Sequence, residues 1–271
     1  MRAFPSALPH LAFAFTVVLS LCLLPSSARA EPLLSRDTAD VGSAGSYSIG
    51  VFNPLKVAVS DGVELQAHPL LFFVAPNLTV RIAQGELGGF RLASEYGLWC
   101  PTPLMRLTQG FLFPTWDHGS GEVGWSLVPQ AGLVATRGHR ASRTLTLAAD
   151  IAVGIPLTRD DLTAPGGIAP LDDWLAPVTT GFRARLNVAY DVSLVSWLRG
   201  RAYLGLSLHG KNPSPVAFSG GLSLDLAVGR NSRFTLGMMW WNADTREMDL
   251  RTHQHVRSND FFPTLDFIWA G

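Results

Sequence analysis

The chain is poor in cysteine, lysine, charge of either sign and long hydrophobic runs. Its 271 residues hold two cysteines, Cys22 and Cys100. Cys22 lies in an N-terminal segment that reads as removable. Cys100 is then alone, which excludes a small disulfide-stapled secreted domain. No base is patterned beside it to make it a nucleophile. Charged residues make up 15% of the chain, well under the ~25% of soluble domains. Lysine occurs only at Lys56 and Lys211, whereas a water-facing surface is rich in Lys and Glu. The formal net charge is +0 over the whole chain. Without Arg2 and Arg29 it becomes −2, with 19 basic against 21 acidic side chains. Nothing in that balance draws nucleic acid. Beyond Leu11–Leu24, no apolar run approaches the ~20 residues of a membrane-crossing helix.

The N-terminus carries a positive Arg2, the apolar stretch Leu11–Leu24 and the small-residue site Ala28-Arg29-Ala30. That pattern predicts a secretory signal peptide over residues 1–30, cleaved before Glu31. Residues 31–45 are polar and aperiodic and read as a periplasmic lead-in. From residue 46 to 271 the chain alternates apolar and polar residues. In Arg143–Leu157, for example, Leu145, Leu147, Ala149, Ile151, Val153 and Ile155 share one face. A period of two belongs to strands.

A chain with few charges and no spanning helix must hide its apolar surface as strands. Only a closed barrel satisfies strand backbones inside lipid. The expected fold is therefore all-β: a closed antiparallel up-and-down transmembrane β-barrel of about twelve strands, with ten to twelve as the range. Eleven strands are evident: Tyr47–Val59, Val63–Phe73, Leu78–Ala83, Phe90–Leu98, Val123–Ala135, Arg143–Leu157, Phe182–Val192, Leu198–Leu208, Val216–Val228, Phe234–Trp240 and Phe261–Trp269. Bacterial single-chain barrels are even-numbered, so Leu104–Phe113 is expected to supply the twelfth. A short plug helix there is the competing reading. With that count the turns Gly138–Ser142, Ser193–Ser196 and Gly229–Arg233 lie in the periplasm, and the long segments Thr158–Val178 and Asp244–Asn259 lie outside. Pro54, Pro69, Pro129 and Pro263 fall within predicted strands and should mark bulges or interfaces.

The second face of the strands carries the charges. It offers Lys56, Glu64, His68, Arg81, Arg91, Glu95, Asp150, Arg183, Arg185, Asp191, Arg199, Arg201, Asp225 and Arg233, with His209 and Tyr203 among them. An arginine facing lipid at midplane costs about 2–4 kcal/mol, so these side chains are expected to line the lumen. Otherwise that face is small: Ser, Thr, Gly and Ala. A soluble lipocalin-like barrel would alternate too, but with its apolar face inward. The apolar face here is tipped by Tyr47, Trp125, Tyr190, Trp240 and Trp269, as a membrane aromatic girdle requires. Lipids of the outer membrane are the expected surroundings.

The signal sequence, the alternation and the final strand Phe261–Trp269 resemble Gram-negative outer-membrane proteins, porin-like barrels among them. The stretch Tyr47–Ile82 is similar to the opening of certain uncharacterised outer-membrane barrels. The resemblance implies outer-membrane residence and handling by the barrel-assembly machinery through an aromatic-ended last strand. It brings no known activity.

Candidate chemistry is sparse. His118-Gly119-Ser120-Gly121 resembles the His-x-Ser-x-Gly spacing of outer-membrane phospholipase A, but Gly121 stands where that family has Asn. His253-Gln254-His255 could offer two imidazoles to a metal, without a third ligand at a defined spacing. Arg159, Asp160, Asp161, Asp172 and Asp173 make the loop Thr158–Pro177 acidic; a solvated loop is expected, with a site for calcium or a lipid-headgroup cation as the alternative. No cofactor, metal or catalytic residue is expected, and the chain reads as a non-enzyme. The leading expectation is a narrow porin-like channel or passive transporter for small solutes. Its rivals are a structural or adhesive barrel acting through its loops and, third, a lipid-modifying enzyme. If it conducts, Arg183, Arg185, Arg199 and Arg201 should give weak anion preference, unless Asp150 and Asp225 neutralise them.

Overall fold

The computed structural model describes residues 34–109, 123–158, 169–210, 215–229, 231–248 and 255–271. Its strands are β1 (Tyr47–Gly50), β2 (Leu55–Ser60), β3 (Val63–Ala67), β4 (Asn77–Leu87), β5 (Phe90–Trp99), β6 (Ser126–His139), β7 (Arg143–Val153), β8 (Ile155–Pro156), β9 (Phe182–Val195), β10 (Leu198–His209), β11 (Val216–Ala227), β12 (Ser232–Met248) and β13 (His255–Ala270). Three helices interrupt them: α1 (Pro69–Phe72), α2 (Thr102–Thr108) and α3 (Ala169–Thr180). None of the described helices is long and apolar enough to cross a membrane.

Twelve strands form a closed antiparallel ring in sequence order. β5 pairs with β6 from Arg91↔Thr136 to Trp99↔Val128, and β7 pairs directly with β9. β1 closes the ring on β13 through Ser48↔Ala270, Ile49↔Trp269 and Gly50↔Ile268. The two-residue β8 lies outside the ring, pairing with β6 at Ser126 and Leu127.

The faces sort as alternation dictates. Leu204 and Leu222 are 67% and 69% exposed on the exterior, whereas Arg183, Asp191 and Arg199 are at most 2% exposed inside. Apolar outside and charged inside is the inverse of a soluble barrel and matches a lipid-facing wall. Tyr47 and Trp269 are exposed near one rim, and Trp125 is exposed near the other. Tyr190 lies outward, five residues before the end of β9, and Trp240 pairs with Gly220 and Phe261 midway along β12.

The count of twelve is right, but Leu104–Phe113 is not the twelfth strand. Thr102–Thr108 is helix α2, with Pro103 in its first turn and Met105 and Thr108 buried. Residues 110–113 lie outside the described part. The extra strand comes from Tyr47–Val59, which is a hairpin and not one strand. Asn53-Pro54 breaks it, and Tyr47 pairs with Val57 across the turn. The apolar phase survives a reversal of direction, so alternation alone could not see the turn. Val63–Phe73 likewise ends early: His68 caps α1, accepting the Leu71 N–H, and Pro69 begins the helix.

The hairpin reverses the sense of every strand from β2 to β5 relative to a single long first strand. Asp61-Gly62 and Gly88-Gly89 therefore lie at the same end as Gly138–Ser142, Ser193–Ser196 and Gly229–Arg233. Both Gly88 and Gly89 have positive φ, as a two-residue hairpin turn demands. These five turns, the start of β1 and the end of β13 share this end, while the Val51–Pro54 turn between β1 and β2 lies at the other. The connections bearing α1, α2 and α3 share the other.

The wall is uneven. β4–β7 and β9–β13 contain 10 to 17 residues, enough for the ~9–11 that a crossing needs. β1, β2 and β3 contain 4, 6 and 5. Pro263 is tolerated in β13 because it lies above the stretch paired with β1, so no strand on that side needs its missing N–H. Pro129 of β6 pairs with Leu98 of β5, and on its other flank it falls between the β8 and β7 pairings.

Candidate functional site

The barrel interior is a charge network divided among two chain segments that fold into it. At the turn end, residues 34–40 run across the lumen as a series of acceptors. The Leu34 carbonyl accepts from Arg233 at 2.9 Å and the Ser35 carbonyl from Arg140 at 3.2 Å. Ser35 Oγ accepts from Arg199 at 2.5 Å, and the Arg36 carbonyl from Arg201 at 3.2 Å. The Asp37 carboxylate takes Lys56 at 2.8 Å and Arg201 at 3.2 Å. The Thr38 carbonyl accepts from Arg81 at 3.0 Å, and Asp40 accepts twice from Arg91, at 2.5 and 3.1 Å. Seven basic side chains thus converge on seven consecutive residues. Arg140 also reaches Asp40, at 3.8 Å.

The segment bends to do this. Asp37 has φ 54°, the left-handed region that Asp tolerates better than most side chains. Ala39 buries against Ala93, Val134 and Ala148. Burial pushes the Asp37 carboxyl up, but Lys56, Arg201 and Arg36 outweigh it and hold the group well below the usual range. Asp40 is likewise lowered against its burial, chiefly by Arg91 and Thr38.

At the loop end α3 lies inside the mouth. Its Asp173 accepts from His209 Nε2 at 2.9 Å if the ring carries the proton there, and sits 3.8 and 3.9 Å from Arg183 and Arg185. Arg183 donates to the Asp173 carbonyl at 3.1 Å. Asp150 takes Arg185 at 2.9 Å and Arg183 at 3.4 Å. Burial raises the Asp173 carboxyl less than His209, Arg183 and Arg185 lower it. The apolar side of α3 packs on the wall: Trp174 stacks on Trp99 with centroids 4.5 Å apart, and Leu175 joins Met105, Val123, Val128 and Ala152. Gly154 and Gly210 make that approach feasible. A Cβ would lie 2.0 Å from the Pro177 carbonyl oxygen at the first and 2.1 Å from that of Thr180 at the second.

Asp172 and Asp173 are therefore not part of a solvated loop. Both are buried in α3, because Leu171, Trp174 and Leu175 carry the helix inward. Arg159, Asp160 and Asp161, the motif around His118 and Ser120, and His253 and Gln254 lie outside the described residues. No cluster of metal-binding side chains occurs among the described residues.

No family model and no curated protein matches the chain. Its similarities are to solved outer-membrane barrels. In-vitro folded OmpT, an outer-membrane protein of Vibrio cholerae, shares 8% identity at a TM-score of 0.42, over 88% of this chain and 72% of that one. Outer-membrane-expressed OmpT of the same organism gives 6% and 0.44 over the same shares. A doubly substituted OccD1 (OprD) gives 10% and 0.39, over 89% and 63%. Likeness at such TM-scores adds nothing to what the barrel itself shows.

The sequence-derived charged set is arranged unequally. Arg81 bridges Glu95 at 2.5 Å and Glu64 at 3.7 Å. Asp225 takes Arg233 at 3.3 Å and Arg36 at 3.7 Å, while Arg199 lies 3.9 Å from Asp191. His68 stands apart at the loop end, where its Nε2 is 3.0 Å from the Phe52 carbonyl oxygen. The group Arg183, Arg185, Arg199 and Arg201 is not an open cationic wall. Asp150 and Asp173 take the first pair, and Ser35, Asp191 and Asp37 take the second. Asp37, Asp40 and Arg140 were missed, and Asp173 was assigned to a solvated loop, because none lies on an alternating strand. The one sequence signal was Arg36-Asp37-Thr38-Ala39-Asp40, a charged run in an otherwise mild lead-in.

Between residues 34–48 and the wall lies a cavity of about 480 Å³, reaching Asn53 and Lys56 on one side and Arg140 and Arg233 on the other.

Proposed function

We propose that the chain is exported to a Gram-negative outer membrane and forms a narrow channel or passive transporter for small solutes. The observation that carries this is the kind of closure. The lumen holds a charged cavity of about 480 Å³, and its obstructions are docked segments and not wall strands. A barrel that only needed rigidity would fill its interior with side chains from the wall. The signal-like residues 1–30 and the gathering of short turns at one end support export and a periplasmic turn end. The aromatic-ended strand Phe261–Trp269 would be the part handled by the assembly machinery.

The test is conductance in planar bilayers after refolding, with heat-modifiable migration in SDS as the check on folding. Discrete current steps are expected, small for a twelve-stranded pore. A folded barrel that never conducts, at any salt or voltage, overturns the proposal. The dry cluster around Trp99 and Trp174 favours one rival, a non-conducting barrel working through its outer loops. That rival predicts no current even after α3 is undocked.

A further inference from the structure

Resting on the transport reading and deepening it, we propose that the turn-end ring of basic side chains is a binding site for small polycarboxylates. Residues 34–40 are its built-in occupant, displaced when such an anion binds.

The geometry is that of a ligand in a site. Lys56, Arg91 and Arg201 find their acidic ion-pair partners in this segment, at Asp37 and Asp40. None of the three has an acidic partner within ion-pair distance on the wall among the described residues. The wall therefore presents cations whose counter-charge comes from a part of the chain that adds no strand to it. A strand acid would have served if the aim were a permanently neutral wall; Glu64 and Glu95 do this for Arg81. Arg91 grips Asp40 with both Nε and Nη2, the bidentate geometry suited to carboxylates. Two carboxylates, three residues apart in a bent segment, occupy two separate basic subsites. A small molecule with two or three carboxylates offers the same kind of charge to these subsites. The adjoining cavity gives it room to enter before the segment leaves. The segment itself buries little apolar surface beyond Ala39, so its exchange is opposed chiefly by polar contacts.

The experiment uses the folded full chain in detergent, with citrate as probe and sodium chloride at equal ionic strength as control. Trypsin cleavage after Arg36 reports release of the segment. Citrate at millimolar concentration should speed that cleavage at least tenfold over the chloride control. The Asp37→Asn, Asp40→Asn double variant, lacking the competing carboxylates, should bind citrate about tenfold more tightly by calorimetry. Lys56→Gln with Arg91→Gln should lose that binding while remaining heat-modifiable on gels. If the double variant is poorly folded, Asp37→Asn alone carries the same comparison with a smaller gain. Cleavage that follows ionic strength alone, or affinity unchanged by removal of both carboxylates, overturns the proposal. Neither readout needs current. Citrate binding without conductance sinks the channel and leaves the site. Conductance without citrate binding does the reverse.

Discussion

The two segments that fill this barrel are held by opposite physics. Residues 34–40 are held by charge: carbonyl, hydroxyl and carboxylate oxygens meet seven basic side chains, with Ala39 as the main buried apolar contact. Helix α3 is held mainly by packing, with Trp174 on Trp99 and Leu175 in a cluster of six buried residues, and the Asp173 ion pairs set beside it. Charge-held contacts at partly solvated groups weaken in salt, because the screening length falls to about 3 Å at 1 M. Apolar contacts do not. One lumen therefore holds a segment fixed by charge and a helix fixed by shape.

The largest effect should come from shape. Gly154→Ala puts a methyl against the Pro177 backbone at α3, where nothing flexible can yield. Docking of α3 should weaken by about 3 kcal/mol. Loss of the Trp99–Trp174 near-ultraviolet signal, with SDS resistance retained, is the expected result; an unchanged signal would show that the helix is not held where the glycine admits it. Leu175→Ala acts on the same contact and should cost about 2–4 kcal/mol, equally at 0.1 M and 1 M salt.

Asp37→Asn should cost the turn-end segment less, about 1 kcal/mol, since its side chain is 39% exposed and part of the attraction is screened. The cost should vanish in 1 M salt, as read by cleavage after Arg36. A salt-independent cost would mean that packing, not charge, holds this end.

Acid should act on both segments with one sign and unequal size. Asp37, Asp40 and Asp173 are lowered in the fold. Their pairing is therefore fully present above the ordinary carboxylate value near 3.9 and is lost as pH falls through the lowered values. Both segments should hold at pH 5. Below about pH 4 the turn-end segment should loosen first, because α3 keeps its apolar cluster. Release of α3 before residues 34–40 in a proteolysis series would reverse the comparison.

The smallest effect concerns selectivity. Arg185→Gln with Arg201→Gln removes two cations already matched by Asp150 and Asp37. The reversal potential should move slightly toward cation preference. A large loss of anion preference would show that these arginines face the permeating ion in the open state and exchange partners on opening.

The alternation itself determined a closed β-barrel with its apolar face outward, and which strand charges share the other face. A period of two fixes which side chains share a face whatever the strand's direction. That indifference to direction is why Tyr47–Val59 read as one strand and why the twelfth strand was sought at Leu104–Phe113. Turn position depends on Asn53-Pro54 and on closure with β13, which are contacts and not periods. Which cations meet which acids was decided by tertiary structure alone. Residues 34–40 and α3 have no strand periodicity, and they reach the lumen from both ends of a ring that exists only once it has closed. Lys56 and Asp37 are near in sequence, but Arg201 and Asp37 are 164 residues apart. Only the closed wall places them 3.2 Å from each other.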